Sequence, residues 1–525
     1  MTDNKNPTSP LDSFDHVVVL MLENRSFDNL LGFLYEDGVP AGKQFAGLQD
    51  GEHSNPVPSR AIDSASHTQV SVEQAADYHQ PFPDPGETWP HVNTQLFNHV
   101  DPDNVGVDGG SMKPPYNLPE KAPSVPPMSG FVNDYINTTE ALFDKQVKYE
   151  QYSQIMQCFK PSQLPVMSTL ARNFAVFDHW FCSVPSQTWC NRAFWHAATS
   201  GGELINPLGE GGIIGSAKDM LNWRKKVWSQ KNLFNALEEQ NVSWKIYAET
   251  TLSLTSMVNG IVVNKTGRVV PDPDLSNELD YGFQRDLQNG TLPQYSFIEP
   301  RFVLAHNDQH PSTWNSTLFG KTDPGTVIRG EKLIYDIYTA IRNSKLRDKI
   351  LFIITHDEHG GCFDHVAPPA AVPPTPGQTG MGGFKFDRLG VRVPMIMISS
   401  HIQPGTIINE PHDHTSFLKT MSQKWGFDSL TDRDRNAQDF SHVFSTQART
   451  EPWPELKDPL PEGDDKANYH EHPLSDLQKS ILVGAEQLLK EQQPTILKGV
   501  ELTASKTVNT VKEAAERLES LSKML

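Results

Sequence analysis

Two unbroken apolar runs, far apart in the chain, end in the same way. Residues 17–22 read Val-Val-Val-Leu-Met-Leu and give way to Glu23, Asn24 and Arg25. Residues 350–354 read Ile-Leu-Phe-Ile-Ile and lead through Thr355 and His356 to Asp357, Glu358, His359, Gly360 and Gly361. Continuous β-branched and aliphatic runs of this length are the pattern of strands buried on both faces. Further strands are predicted at 243–248, 295–298 and 393–399, and helices at 231–239, 331–343 and 415–425. That alternation predicts an α/β fold, a mostly parallel sheet with helices on both faces. Residues 36–130 are rich in Pro, Gly, Asp, Asn and His with little periodicity, and read as long loops over the active edge of the sheet and not as a separate core.

In open α/β sheets ligands collect at the carboxyl ends of the strands, where both of these runs deliver oxygen donors. Glu23, Asn24, Asp357 and Glu358 together make a hard, mostly anionic set, which suits calcium first, then magnesium or manganese. Zinc stays open because histidines crowd the same segments. The plainer reading of any one such acid is a solvated turn residue.

Between the two strands, Pro185 and Ser186 read as a turn, and residues from Asn191 onward as a helix that stops at Ser200-Gly201-Gly202. Thr188 then lies just before a helix N-terminus, where unpaired N–H groups and the positive end of the dipole cradle an anion such as phosphate. A hydroxyl there becomes a nucleophile when a metal ion lowers its pKa. The competing reading makes Thr188 or Ser186 only an N-cap.

These residues, with Glu23 to Asp28, Phe174 to Arg192, Asn307 to Pro311, Asp357 to Gly361, Asp364-His365-Val366 and His414-Thr415-Ser416, resemble a family of phosphoesterases. It includes phosphatidylcholine-hydrolysing phospholipase C, a respiratory-burst-inhibiting acid phosphatase and the plant non-specific phospholipases C. The motifs run in the family's order over roughly residues 14 to 430. The resemblance implies an alkaline-phosphatase-like three-layer α/β/α sandwich, with Thr188 at the nucleophile position three residues before the pair Asn191-Arg192. It implies Glu23, Asn24, Asp357 and Glu358 as ligands of a divalent metal ion, and His310 as a contact to the transferring phosphoryl group. One departure stands out: Glu87 occupies the place where the family often carries a histidine. Glu87 there accepts from a choline-like head group or binds a second ion, with His79 or His91 expected to fill the gap.

The chain has 525 residues, 37% of them hydrophobic, enough for one large core. A formal charge of −19 argues against nucleic acid and against anionic bilayers, so a zwitterionic phospholipid is the easier membrane substrate. The amino terminus has no apolar segment of the secretory kind, and no run is long enough to cross a bilayer, so cytoplasmic residence or export without a cleaved signal is expected. Four cysteines show no metal spacing; reduced thiols are the default, with a Cys182–Cys190 bridge the lesser option.

Residues 1–450 read as the catalytic domain, 451–474 as a linker rich in Pro and acids, and 475–525 as a helical tail. In that tail Ala504, Val508, Val511, Ala515, Leu518 and Leu525 form one apolar stripe beyond Pro494. The stripe either packs on the chain's own body or on a partner subunit, or lies on a lipid surface as a lid. The function expected is a phospholipase C that makes peripheral contact with a phospholipid membrane. The alternatives are a broad-specificity acid phosphatase for monoesters, and a non-catalytic phospholipid-binding protein.

Overall fold

The computed structural model describes residues 9–49, 51–207, 219–249, 253–261, 268–271, 282–303, 306–311, 326–459, 474, 476–492, 508 and 510–522. Among them, eight strands form the main sheet: β1 His16–Leu22, β2 Ala175–Phe177, β3 Trp244–Ala248, β4 Val269–Pro271, β5 Tyr295–Glu299, β6 Ile350–His356, β7 Met395–Ile398 and β8 Thr406–Ile408. Their spatial order is β8-β2-β7-β6-β1-β5-β3-β4. Only β7 runs against its neighbours, so the sheet is mostly parallel, as the alternation of elements predicts. Every residue of β6, and every residue of β1 after His16, is buried, as strands in the middle of a covered sheet must be.

The predicted strands at 243–248, 295–298 and 393–399 and the helices at 231–239, 331–343 and 415–425 all form. Their observed bounds are Trp244–Ala248, Tyr295–Glu299, Met395–Ile398, Leu233–Glu239, Val327–Asn343 and His414–Trp425. Strands β2, β4 and β8, each three residues long, escape sequence reading because so short a run carries no period.

The loop reading of residues 36–130 needs correction. Helix Trp89–Phe97 lies within it, and packs with helix Phe131–Phe143 around a second apolar cluster that includes Leu48, Val92, Leu96, Phe131, Tyr135 and Val391. The polar residues of the Trp89 helix are buried too, which hid its amphipathic pattern.

Of the predicted linker and tail, residues 460–473, Pro494, Ala504 and Leu525 lie outside the described residues. Helix Asp476–Gln492 packs against helix Leu254–Asn259 and against helix Val511–Ser522. Leu518 is buried, and Val508 packs partly buried on the same core, so this part of the stripe faces the chain's own body. All four cysteines are free and buried, and no described helix is long and apolar enough to cross a membrane.

Candidate active site

Register brings the two acidic strand ends together. Leu22 of β1 is paired with His356 of β6, so Glu23 and Asp357 leave the sheet side by side. The chains stay laced beyond the sheet: Asn24 N–H donates to Asp357 Oδ1 at 3.0 Å, and Arg25 N–H to the Glu358 carbonyl at 3.1 Å. Asn24 takes a left-handed φ of 52°, a conformation that asparagine tolerates better than other non-glycine residues. Gly360 faces it, also at positive φ, and a Cβ there would sit 2.3 Å from the Asn24 carbonyl oxygen. Glycine is therefore what lets these two turns approach.

The helix Thr188–Ala197 begins at Thr188, three residues earlier than the sequence predicts, and Gln187 is its N-cap. Thr188 Oγ1 donates to Glu23 Oε2 at 3.0 Å and stands 3.4 Å from Asn24 Oδ1. Neither Thr188 nor Ser186 caps the helix, since the Ser186 hydroxyl bonds the Leu204 carbonyl. The anion cradle is narrower than expected, because Trp189 N–H already donates to Asn206 Oδ1 at 3.0 Å.

Asn191 does not reach the Thr188 hydroxyl. Its side chain accepts from Val184 N–H at 3.0 Å and donates to the Val184 and Ser186 carbonyls at 3.1 and 2.7 Å, which holds the turn before Thr188 in place. Arg192, one turn into the helix, donates through Nε and Nη2 to Glu23 Oε1, the first at 2.9 Å, and its Nε lies 3.7 Å from Asp357 Oδ2.

A third wall comes from two loops. Glu23 N–H donates to the Asp308 carbonyl at 2.8 Å, which docks the segment carrying His310. The Asn24 side-chain amide donates to Glu87 Oε2 and lies 3.1 Å from His310 Nε2. His310 Nδ1–H donates to the Pro311 carbonyl at 2.7 Å, so the neutral ring presents Nε2 as a lone pair. Gln187 Nε2 donates to Glu87 Oε1 at 3.0 Å and ties this wall to the Thr188 helix.

The site is acidic and deeply buried. Burial pushes the Glu23 carboxyl well above the ordinary range, opposed by Arg192 and reinforced by Asp357 and Asp308. Burial raises Glu358 likewise, with Glu87 and Asp357 adding to it. Arg192 remains a firm cation, because Glu23, Asp357 and Glu299 outweigh its own burial. Asp357 Oδ2 and Glu358 Oε1 are buried without a hydrogen-bond partner. Ionised oxygens so placed are costly unless a cation meets them. Such oxygens fit a divalent ion, and Glu23, Asn24, Asp357 and Glu358 are the residues that would hold it.

Residues 14–428 match the model of the Phosphoesterase family. The chain belongs to that family. As a family member it is a phosphoric ester hydrolase. Non-specific phospholipase C3 of Arabidopsis thaliana is 33% identical over 465 residues, which cover 85% of this chain and 76% of that one. Phospholipase C B of Mycobacterium tuberculosis is 27% identical over 479 residues, 84% of this chain and 80% of that one. A Vibrio parahaemolyticus protein in the alkaline phosphatase superfamily aligns over 52% of this chain and 63% of that one, at 16% identity and a TM-score of 0.31, too slight a likeness to build on.

Within this phosphoesterase the structure brings Glu23, Asn24, Thr188, Arg192, Asp357, Glu358 and His310 into one buried cluster, with Asn191 behind it. The histidines proposed to replace Glu87 do not. His79 is half exposed beside Asp77, and buried His91 turns to Asp134 Oδ1, 2.8 Å away. Glu87 itself fills the position, joined by Asp84. Sequence reading also missed Gln187 and His359, whose Nδ1 lies 3.3 Å from Glu358 Oε2. His359 was legible, since it directly follows the two acids.

Proposed function

We propose that this phosphoesterase is a phospholipase C that cleaves phosphatidylcholine-type phospholipids to diacylglycerol and a phosphorylated head group, with Thr188 as nucleophile. The observation that carries the reading is the Thr188 hydroxyl, buried at the start of its helix and aimed at Glu23 Oε2 at 3.0 Å. The names of the relatives from Arabidopsis and Mycobacterium support the substrate class.

A divalent ion bound by Glu23, Asn24, Asp357 and Glu358 supplies the positive field that lowers the hydroxyl's pKa and offsets phosphoryl charge. Glu23 accepts the Thr188 proton as Oγ1 attacks phosphorus in line. The new bond joins Oγ1 to phosphorus, and the bond from phosphorus to the diacylglycerol oxygen breaks. Arg192 keeps Glu23 oriented for this, and Asn191 keeps Thr188 in register. His310, its Nδ1 held on the Pro311 carbonyl, stands with Nε2 toward the pocket, where a proton taken up by the ring would meet the phosphoryl oxygen or pass to the departing alcohol. Water then attacks phosphorus, the bond from phosphorus to Oγ1 breaks, Oγ1 takes back the proton held by Glu23, and the phosphorylated head group leaves.

Turnover of p-nitrophenyl phosphorylcholine compared with p-nitrophenyl phosphate tests the substrate class; preference for the monoester replaces the phospholipase reading with that of a phosphatase. Thr188→Ala is expected to lose at least ~10³-fold in kcat while keeping its thermal midpoint, as removal of a nucleophile does. A wild-type rate in that variant refutes the nucleophile assignment, and absence of turnover on both esters by the wild-type protein leaves only phospholipid binding.

A further inference from the structure

A cavity of about 420 Å³ opens at the other edge of the sheet from Thr188 and its carboxylates. Arg347 and Asp348 line it just before β6 begins at Ile350, and Ser400 lines it just after β7 ends at Ile398. Since β7 runs antiparallel to β6, with Ile398 beside Phe352, both segments meet at the amino edge of the parallel strands. The seven residues of β6, at about 3.3 Å each, put roughly 20 Å between this cavity and Asp357. It is therefore no part of the catalytic pocket.

Three guanidiniums line the cavity, those of Arg342, Arg347 and Arg449. Their charges converge, for all three act on the hydroxyl of Tyr338. Arg449 is only 9% exposed and is firmly held. Its Nε donates to the Glu451 carbonyl at 3.1 Å and its Nη1 to the Asn173 carbonyl at 2.6 Å, while the guanidinium carbon lies 4.5 Å from the centre of the Phe174 ring. Among the described residues its Nη2 has no hydrogen-bond partner, and no carboxylate comes within ion-pair distance of the side chain. A cation enclosed without a counter-charge is costly, and an anion in the cavity relieves it. The two carboxylates that line the cavity do not serve. Asp348 already accepts from Arg347 Nε at 3.0 Å and from the Ser400 hydroxyl at 2.7 Å, and Glu451 is exposed. Arg342 pairs with Glu455, whose side chain is 85% exposed, a contact that an incoming anion can replace. Trp453, stacked on Tyr338 and donating to the Ser400 hydroxyl at 3.0 Å, braces this wall.

We propose that Arg342, Arg347 and Arg449 form a binding site for a phosphate monoester, separate from the catalytic pocket. Planar guanidinium forks match phosphate oxygens, and a dianion compensates more than one of these cations where a carboxylate would compensate one. The cavity exceeds a bare phosphate ion and has the size of a small-molecule site, so the ligand is a small phosphorylated compound. A chain charge of −19 works against an anionic bilayer, which favours a soluble compound over a lipid head group as the source of the phosphate. The inference is independent of the roles given to Thr188 and to the metal ligands.

Isothermal titration of the full chain with inorganic phosphate tests the site. Binding is expected to weaken about tenfold or more in Arg347→Ala and in Arg449→Gln, as loss of a charge-assisted hydrogen bond implies. Turnover of a p-nitrophenyl ester is expected to stay unchanged in both, which separates this site from phosphate held in the catalytic pocket. Arg347 is half-buried on a short turn, so its variant answers the question even where Arg449→Gln does not fold. Phosphate binding unaltered in Arg347→Ala, or absent from wild type at millimolar phosphate, overturns the proposal. Co-sedimentation with phosphatidylcholine vesicles that contain phosphatidic acid, lost in Arg347→Ala, assigns the same site to a lipid head group; phosphate binding without co-sedimentation assigns it to a soluble compound. Anomalous scattering from crystals soaked in tungstate, a heavy analogue of phosphate, reads the site without substitution: density among Arg342, Arg347 and Arg449 is expected, and tungstate in the catalytic pocket alone overturns it.

Discussion

Replacing Arg192 with methionine isolates the charge balance on which the pocket depends. The guanidinium is fully buried, donates twice to Glu23, lies 3.7 Å from Asp357 Oδ2 and stacks 5.3 Å over the Phe302 ring. Methionine keeps most of the packing volume and removes the charge, so Glu23 and Asp357 are left buried without a counter-charge. Breaking a buried pair by removing one partner costs about 3–5 kcal/mol. For a chain of 525 residues, at about 2.1 cal/mol/K of unfolding entropy per residue, that lowers the thermal midpoint by roughly 3–5 °C. The loss is expected in full in the presence of a chelator. In excess divalent cation it shrinks, because the ion takes over part of the compensation. Glu23→Gln combined with Arg192→Met is expected to be less destabilised than Arg192→Met alone, since no carboxylate remains opposite the missing guanidinium. Guanidinium and thermal denaturation of wild type, Arg192→Met, Glu23→Gln and the double variant, with and without chelator, measure all of this. If Arg192→Met in chelator stays within about 1 kcal/mol of wild type, or the double variant shows no recovery, the ion-pair account of Glu23 is wrong.

Asn191→Ala leaves the buried Val184 N–H without its acceptor, so a loss of about 1–3 kcal/mol is expected; kcat on a p-nitrophenyl ester should fall while KM changes little, and a change confined to KM would contradict the positioning role. The Asp28, Asp364, His365 and Arg392 network carries a pH signature. His365 resists burial through Asp28, 2.6 Å away, so its pKa rises, while Arg392 and His365 hold Asp28 low against its burial. Stability from the raised histidine is complete below its unfolded pKa near 6.5 and is lost as pH climbs through the folded value. His365→Gln is therefore expected to destabilise more at pH 6 than at pH 8.5, and an equal effect at both values would show that the ring acts by packing alone. With a net charge of −19, turnover is expected to be faster on zwitterionic than on anionic vesicles at low salt, with the gap closing as salt rises; the reverse order would count against electrostatic exclusion.

The sequence was sufficient wherever a local pattern carries a physical consequence. A short unbroken run rich in β-branched and aliphatic residues is the pattern of a strand covered on both faces, and β1 and β6 form accordingly, with Glu23 and Asp357 just beyond their tips. The Pro185-Ser186 turn and the Ser200-Gly201-Gly202 stop likewise marked a helix, though its start was placed three residues late, because Gln187 caps the helix by backbone alone and leaves no signal in its side chain.

What the chain's order of residues left open was settled by contacts between segments distant along it. Glu87 stays ambiguous until folding sets it against Asn24, Gln187 and Glu358, and the roles given to His79 and His91 fail because each finds an acid outside the pocket. Helix Trp89–Phe97 was invisible because its polar side chains are satisfied by buried partners instead of by water, so its pattern reads as loop. Periodicity reports how a segment meets solvent; which carboxylates end up side by side is decided by the pairing of β1 with β6, and no stretch of sequence contains that pairing by itself.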